Sequence, residues 1–226
     1  MKTLSKVKYL FGTIMLAACT LGLTACGDDN DGDNPGGGEE NTNGGTNSSA
    51  TITSNEASGT LTYAYAAMVE EPSDTIGRYY YEIEFSDVDV ASYYISGRYT
   101  SLPKKATIAS LAIRSNQKFS GNVPTGTFAP KYWGMSGAIN VPLSNEYEYE
   151  VTDGMWYFDA VAIPGQGNLT ITKSGDTYTV AANPLIMTWR KHGASSENDY
   201  NKTASFKFTG KIVDISQYIT DDDDEE

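Results

Sequence analysis

The chain offers few side chains for nucleophilic or metal chemistry. Its 226 residues include one histidine, His192, and two cysteines. A serine or cysteine nucleophile needs a base beside it, and His192 lies in the basic run 189–193, where we expect a solvated loop residue. Structural zinc needs several Cys or His ligands, and the glycine patterns of phosphate-binding loops are missing from the sequence. We therefore expect no metal, no cofactor and no nucleophilic catalysis.

Paired carboxylates are the remaining catalytic option. Glu82 and Glu84 lie two residues apart, as do Glu146, Glu148 and Glu150. A glycosidase needs two carboxylates about 5–9 Å apart across a cleft, whereas neighbours on one strand project side by side. No spacing here resembles a calcium loop. We expect these glutamates to face solvent, and glycoside hydrolysis is the least favoured function.

Four aromatic residues are the best binding candidates. Tyr132, Trp133, Trp156 and Tyr157 could stack on sugar rings, or they could pack in a small β core. Trp133 is flanked by glycine and proline, which predicts a loop, whereas Trp156 lies in the apolar run 155–163. If a carbohydrate binds, the sequence predicts a larger contribution from Trp133 than from Trp156.

The elements that would position these residues are β-strands. The run 78–85 alternates Tyr79, Tyr81, Ile83 and Phe85 with polar residues, which is the period of a strand with one buried face. The clearest hairpin is 167–180, in which two alternating segments flank Ser-Gly-Asp. Further strands are predicted at 59–69, 106–114, 155–163 and 203–213. In the strand at 106–114, Ala109, Leu111 and Ile113 lie on the core face. The apolar run 155–163 is predicted to be a fully buried strand.

These strands predict one all-β domain over residues 51–219. No segment carries a convincing helical stripe, and about eight strands with Gly and Pro turns favour an antiparallel β-sandwich or a lipocalin-like β-barrel. Residues 26–50 and 220–226 are predicted to be a disordered tether and a disordered acidic tail, because they lack apolar residues for a core.

The acidity of the chain belongs mainly to these two ends. Formal net charge is −13, from 16 Lys+Arg and 29 Asp+Glu. Twelve of the acids lie in 27–50 and 221–226, so 51–219 holds 17 acids against 13 bases. The predicted domain is nearly balanced in charge. A nucleic-acid partner is not expected, because phosphate binding requires a basic surface.

The N-terminus has the pattern of an export signal. Three lysines in the first eight residues precede the apolar stretch 9–18, which is too short to span a bilayer. The following Leu-Thr-Ala-Cys at 23–26 resembles the lipobox of bacterial lipoproteins. That resemblance implies a signal peptide at 1–25 and a lipid on Cys26, which would anchor the protein to a membrane and leave the mature chain without a disulfide.

Two further patterns resemble those of Bacteroidetes proteins. The run 27–31 (Gly-Asp-Asp-Asn-Asp) resembles the acidic export signal of their surface lipoproteins, which implies the outer leaflet of the outer membrane. Segments 123–128, 167–180 and 205–212 are similar to those of small, uncharacterised all-β lipoproteins of gut Bacteroidetes, a family without agreed catalytic residues. Thr75, within Asp-Thr-Ile, matches their O-glycosylation sequon and is a candidate modification site.

Together these features predict a non-enzymatic surface lipoprotein of the outer membrane that binds a glycan or another extracellular ligand. Two alternatives stay open at this stage. One is a pilin-like structural or adhesive subunit of the cell envelope, and the other is a lipocalin-like carrier of a small apolar ligand. The sequence does not indicate an oligomeric state.

Overall fold

The computed structural model describes residues 49–70, 79–89, 105–142, 155–162, 166–192 and 200–216. Within these ranges the chain is all-β, as predicted, and no helix there is long and apolar enough to cross a membrane. The strands are β1 (Ala50–Thr53), β2 (Ser58–Leu61), β3 (Tyr63–Glu70), β4 (Tyr79–Ser86), β5 (Lys105–Ser115), β6 (Gly126–Phe128), β7 (Trp133–Pro142), β8 (Trp156–Ala162), β9 (Leu169–Ser174), β10 (Thr177–Lys191), β11 (Tyr200–Gly210) and β12 (Ile212–Asp214). A turn of 3-10 helix, Pro130–Tyr132, precedes β7.

The strands form a two-stranded sheet, β1–β2, and a strongly curled ten-stranded sheet. The order in the large sheet is β12-β3-β4-β5-β7-β8-β10-β9-β6, with β11 also paired to β10. Every pair is antiparallel except β12–β3, so the sheet is mixed and not purely antiparallel. More strands form than the eight predicted. One reason is that two predicted strands are each interrupted by a single residue: Thr62 separates β2 from β3, and Lys211 separates β11 from β12.

The predicted hairpin at 167–180 is confirmed. It consists of β9, a two-residue turn and the start of β10, and Gly175 in the turn has φ 58°, a value that glycine adopts without strain. Beyond the hairpin, β10 changes its neighbour from β9 to β8 across an irregularity at 183–184. Pro184 lies there and has no N–H to donate to a neighbouring strand.

Two connections bring the ends of the large sheet together. β11 continues through Lys211 into β12, which pairs with β3 at the opposite end of the strand order. β1 lies beside β11, and the Nζ of Lys202 donates to the carbonyl of Thr53 at 3.5 Å. As a result, the ring of Phe85 on β4 lies 5.0 Å from the rings of both Phe206 and Phe208 on β11. The sheet is a half-barrel whose concave side, the inner face, holds the core.

Large aromatic side chains fill this interior. Trp189 and Phe158 are fully buried, with ring centroids 4.8 Å apart. At one end of the half-barrel, Phe119 packs edge-on against Tyr81 and Phe128, at 5.6 Å and 5.9 Å. The backbone N–H of Phe119 also donates to the hydroxyl of Tyr81 at 2.8 Å. Among the described residues, aromatic side chains of the inner face therefore pack directly against one another.

The convex side, the outer face, is not uniform. Along β9, β10 and β11, buried residues largely alternate with more exposed ones, as expected for a sheet with one wet face. Strands β4, β5 and β7 are buried on both faces for most of their length. The prediction that Glu82 and Glu84 face solvent was therefore wrong, since their exposed fractions are 2% and 0%. Alternation identified their face correctly, but it does not tell whether that face is covered.

The apolar run 155–163 also differs from expectation. It was predicted to be a fully buried strand, but β8 alternates between buried and partly exposed residues. Val161 is 53% exposed, and Tyr157 and Asp159 on the same face are half-buried. An apolar residue type alone does not determine burial, because single apolar residues such as valine are common on the solvent-exposed face of a sheet.

Candidate functional site

Trp133 and Trp156 are core residues in this fold. Trp133 begins β7 and Trp156 begins β8, and each is 7% exposed. The strands are antiparallel, and Trp156 pairs with Ile139, six residues along β7 from Trp133. At about 3.3 Å per residue, roughly 20 Å of strand separates the two indoles. The prediction of an exposed loop at Trp133 was wrong. The loop was the reason to expect Trp133 to contribute more than Trp156 to carbohydrate binding, so that expectation loses its basis.

The two tyrosines do not complete a common stacking surface either. Tyr132 is half-buried in the turn before β7, with the Nζ of Lys131 4.8 Å from its ring centroid. Tyr157 is half-buried on the outer face, where it packs beside Val141 and Met155. Trp156, next to it in sequence, points to the inner face. The structure thus separates the four candidates into different places.

Trp156 holds the β1–β2 turn against the large sheet. Its indole N–H donates to Oε2 of Glu56 at 3.1 Å, and the Nζ of Lys191 forms an ion pair with the same oxygen at 2.8 Å. Lys191 and then Trp156 lower the pKa of the Glu56 carboxyl. The Tyr200 ring packs edge-on against Trp156 at 5.7 Å, and the N–H of Asn55 donates to the Tyr200 hydroxyl. These contacts give Trp156 a structural role in joining the two sheets.

We expect Trp133→Ala to lower the free energy of unfolding by about 3–5 kcal/mol, because it would empty a buried indole site. Trp133→Phe should cost much less. The indole N–H of Trp133 is buried without a hydrogen-bond partner in the described ranges, and phenylalanine removes that donor. Urea titration of the mature chain measures both variants, with Tyr132→Ala as the half-buried control. A loss below about 1 kcal/mol for Trp133→Ala would contradict the core assignment.

A continuous row of polar residues crosses the outer face. Cross-strand pairing places one polar residue from each of seven neighbouring strands in a single line. In the order of the strands β3, β4, β5, β7, β8, β10 and β11, this polar row is Tyr65, Glu84, Ser110, Ser136, Asp159, Thr188 and Asn201. Its first four members are buried, and the last three are half-buried or exposed.

The accessible end of the row is a compact group of hydrogen-bonding side chains. Nη1 of Arg190 donates to Oδ2 of Asp159 at 2.5 Å, and both side chains are slightly under one-fifth exposed. The Thr188 hydroxyl donates to Oδ1 of Asn201 at 2.8 Å. Tyr157 lies directly opposite Arg190 on the neighbouring strand. We call these five residues of β8, β10 and β11 the outer patch.

The outer patch combines groups suited to a hydroxylated ligand. Asp159 accepts hydrogen bonds, Arg190 donates them from a planar fork, and Asn201 can do both. Tyr157 adds an aromatic ring with an apolar face. Ordered strands carry all of these groups, and internal hydrogen bonds orient four of them. The patch can therefore hold a polar ligand without having to order a loop first.

The buried end of the row continues into an acid pair. The Ser110 hydroxyl donates to Oε1 of Glu82 at 2.5 Å, and the Tyr65 hydroxyl donates to Oε1 of Glu84. Burial raises the pKa of the Glu82 carboxyl well above its ordinary value of 4.5; the hydrogen bond from Ser110 lowers it, and the charge of Glu84 raises it again. These two carboxylates lie side by side on β4, so they do not face each other across a cleft as a glycosidase pair would.

The remaining candidate site residues from the sequence either do not belong to the outer patch or fall outside the described residues. His192 follows β10 and is half-buried, with its backbone N–H donating to the carbonyl of Met155 at 2.8 Å. In the part of the chain that the structure describes, no group of three or more His, Cys, Asp or Glu side chains is placed to hold a metal. Cys26, Thr75 and the glutamates of 146–150 lie outside the described residues, as do the acidic tail and most of the predicted tether.

The comparisons with known proteins do not assign this site. Neither a protein-family model, nor a curated protein, nor a solved structure matches the chain.

Proposed function

We propose that the protein is a non-enzymatic, lipid-anchored surface protein of the outer membrane whose outer patch binds a glycan. The observation that carries the proposal is the placement of Tyr157 beside the ion pair of Asp159 and Arg190 and the hydrogen-bonded Thr188 and Asn201, all on one accessible sheet face. Sugars present alternating hydroxyl groups and apolar ring faces, and this patch offers partners for both.

The anchor proposed at Cys26 fits such a role. If residues 27–50 form a flexible coil, the tether spans roughly 25–30 Å and holds the domain clear of the membrane. Lipid at Cys26 would keep the protein at the cell surface, because acyl chains contribute about 0.8 kcal/mol per buried CH₂. A ligand in the medium would then reach the outer patch without crossing a membrane.

The interior gives less support to a carrier of apolar ligands. Trp189, Phe158 and Phe85 lie in contact with other rings inside the half-barrel, so an apolar ligand would have to displace them. For a pilin-like subunit we find no specific support among the described strands.

The binding proposal predicts a localised loss of affinity. We expect the mature protein to bind at least one polysaccharide or oligosaccharide on an array of plant and animal glycans. Tyr157→Ala and Asp159→Asn should each weaken that binding at least about tenfold, as expected when a stacking ring or a charged hydrogen-bond partner is removed. Isothermal titration with the best glycan measures the change.

Tyr178→Ala is the matched control. Tyr178 is a half-buried tyrosine on β10, the strand that carries Thr188 and Arg190, but it lies at the β9 hairpin beside Lys173, away from the outer patch. Its variant should bind as the wild type does. Absence of glycan binding by the wild type, or equal loss in Tyr178→Ala and Tyr157→Ala, would refute the proposal. Melting temperatures of all variants separate lost binding from lost folding.

A further inference from the structure

Three basic side chains lie at one end of the half-barrel. β4 begins at this end, β5 ends there and β7 begins there, because Tyr79 is paired with Ser115 and Ile113 with Trp133. The first or last residues of these neighbouring strands, and the turns beside them, therefore lie along a single edge. The cations in these positions are together called the basic rim: Arg114, Lys118 and Lys131.

Each cation of the basic rim lies over a tyrosine ring. The distances from cation to ring centroid are between 4.8 and 5.9 Å, for the pairs Arg114–Tyr80, Lys118–Tyr79 and Lys131–Tyr132. An aromatic ring attracts a cation without neutralising its charge. Lys118 and Lys131 are exposed and Arg114 is half-buried, so each can also contact an anion from solvent.

The basic rim has no carboxylate partner among the described residues. The ion pairs found within those ranges join other side chains. Two carboxylates on nearby strands accept hydrogen bonds from neutral groups: Glu82 from the hydroxyl of Ser110, and Asp214 from Nδ2 of Asn122 at 2.7 Å. The rim is therefore a local group of positive charges on a protein that is acidic overall, and such a group attracts anions.

β12 directs the chain toward this rim. It runs parallel to β3, whose last residue, Glu70, is paired with Tyr79 at the rim. The N–H of Ile215 donates to the carbonyl of Ala66 at 2.9 Å, so about 13 Å of β3 separates that bond from the rim. The described part of the chain therefore ends at Ser216, on the side of this bond that faces the rim.

The sequence beyond Ser216 supplies the complementary charge. Residues 221–226 are six consecutive acids, and Asp221 is six residues beyond Ile215. Six residues span at most about 20 Å, which exceeds the distance from Ile215 to the rim. The acids themselves can span about 20 Å more. The three strand spacings from β3 to β7 amount to only about 14 Å. This segment is thus long enough to reach all three cations.

We propose that the acidic segment 221–226 binds across the basic rim of the same molecule. Single exposed ion pairs are weak, but a tethered segment has an effective concentration in the millimolar range, so a contact of about millimolar affinity is half formed. While it is bound, the segment excludes other polyanions from the rim. The predicted tether also carries acids, but the nearest of them, Glu40, lies ten residues before β1.

Carbodiimide cross-linking of the full mature protein tests this contact, because the reagent joins a carboxylate to a lysine amine where the two touch. At low salt we expect cross-links from 221–226 to Lys118 and Lys131 within one molecule. Their yield should be at least about fivefold higher than at Lys105, at the opposite end of β5, or at Lys211, which is closer to the segment in sequence. In 1 M salt, where the Debye length is about 3 Å, the yield should fall at least about fivefold. Peptide mass spectrometry measures each yield.

Arg114→Gln is the test variant, because it removes a charge of the rim and no reactive amine. It should lower the cross-link yield at the two rim lysines at least about threefold. Lys105→Gln is the matched control and should leave that yield unchanged. Equal yields at rim and control lysines, yields that salt does not change, cross-links only between two molecules, or rim cross-links from 27–50 instead would each overturn the proposal. If Arg114→Gln fails to fold, the wild-type cross-links and their salt dependence still decide.

Discussion

Gly137→Ala is expected to destabilise the protein by about 3 kcal/mol or more. Gly137 lies in β7 where the Phe158 ring covers it, and an added Cβ would lie 2.4 Å from the carbonyl oxygen of Ile108 and 2.7 Å from that ring. The nearer atom belongs to the backbone of the paired strand β5, so it cannot move without disturbing the sheet. Overpacking in a dense core typically costs 1–3 kcal/mol, and a backbone collision lies at the upper end or beyond it.

The same strand supplies the control. An added Cβ at Gly134 meets no atom within 4 Å, so Gly134→Ala should change stability by less than about 1 kcal/mol, in the stabilising direction if at all. Chemical denaturation of both variants measures the difference. Phe158→Leu should not rescue Gly137→Ala, because the contact with Ile108 would remain. Equal stability of the two alanine variants would show that β5 and β7 are not packed as described.

Cys26→Ala is expected to release the protein from the membrane completely. If the lipobox is functional, this substitution removes the atom that carries the lipid, and the balanced charge of 51–219 offers no alternative attraction to an anionic bilayer. Labelling with a palmitate analogue followed by membrane fractionation in the native host measures the result. Loss of both label and membrane association is expected.

Cys19→Ala is the matched control, because Cys19 lies within the predicted signal peptide, which cleavage before Cys26 would remove. It should leave labelling and fractionation unchanged. Label retained in Cys26→Ala, or lost in Cys19→Ala, would contradict the assignment of the lipid to Cys26.

Local pattern in the sequence was sufficient for the fold class and for several elements. The alternation of 78–85 predicted β4 and its core residues, and the β9–β10 hairpin followed from turn chemistry around Gly175. The core face of β5 was also predicted correctly, with Ala109, Leu111 and Ile113 in the core. These features depend on residues close together in the chain, so their physical causes are visible in the sequence.

The outer patch could not be predicted in the same way. Tyr157 and Asp159 were visible as neighbours on one strand, but Arg190 and Asn201 come from β10 and β11, and only the register of three strands aligns them. Register depends on long-range pairing, and a slip by one residue would turn each of these side chains to the opposite face. Tyr157 was selected for its aromatic ring alone, and no sequence signal linked it to its present neighbours.

The sequence by itself determined the strand periodicity and the position of the charge at the two ends of the chain, and it carries the pattern from which an export signal is predicted. The tertiary structure alone decided which faces are covered. It buried Glu82 and Glu84, which alternation had assigned to solvent, and it placed Trp133 in the core despite its glycine and proline neighbours. The physical reason is that burial is a property of packing between distant segments, whereas periodicity tells only which residues share a face.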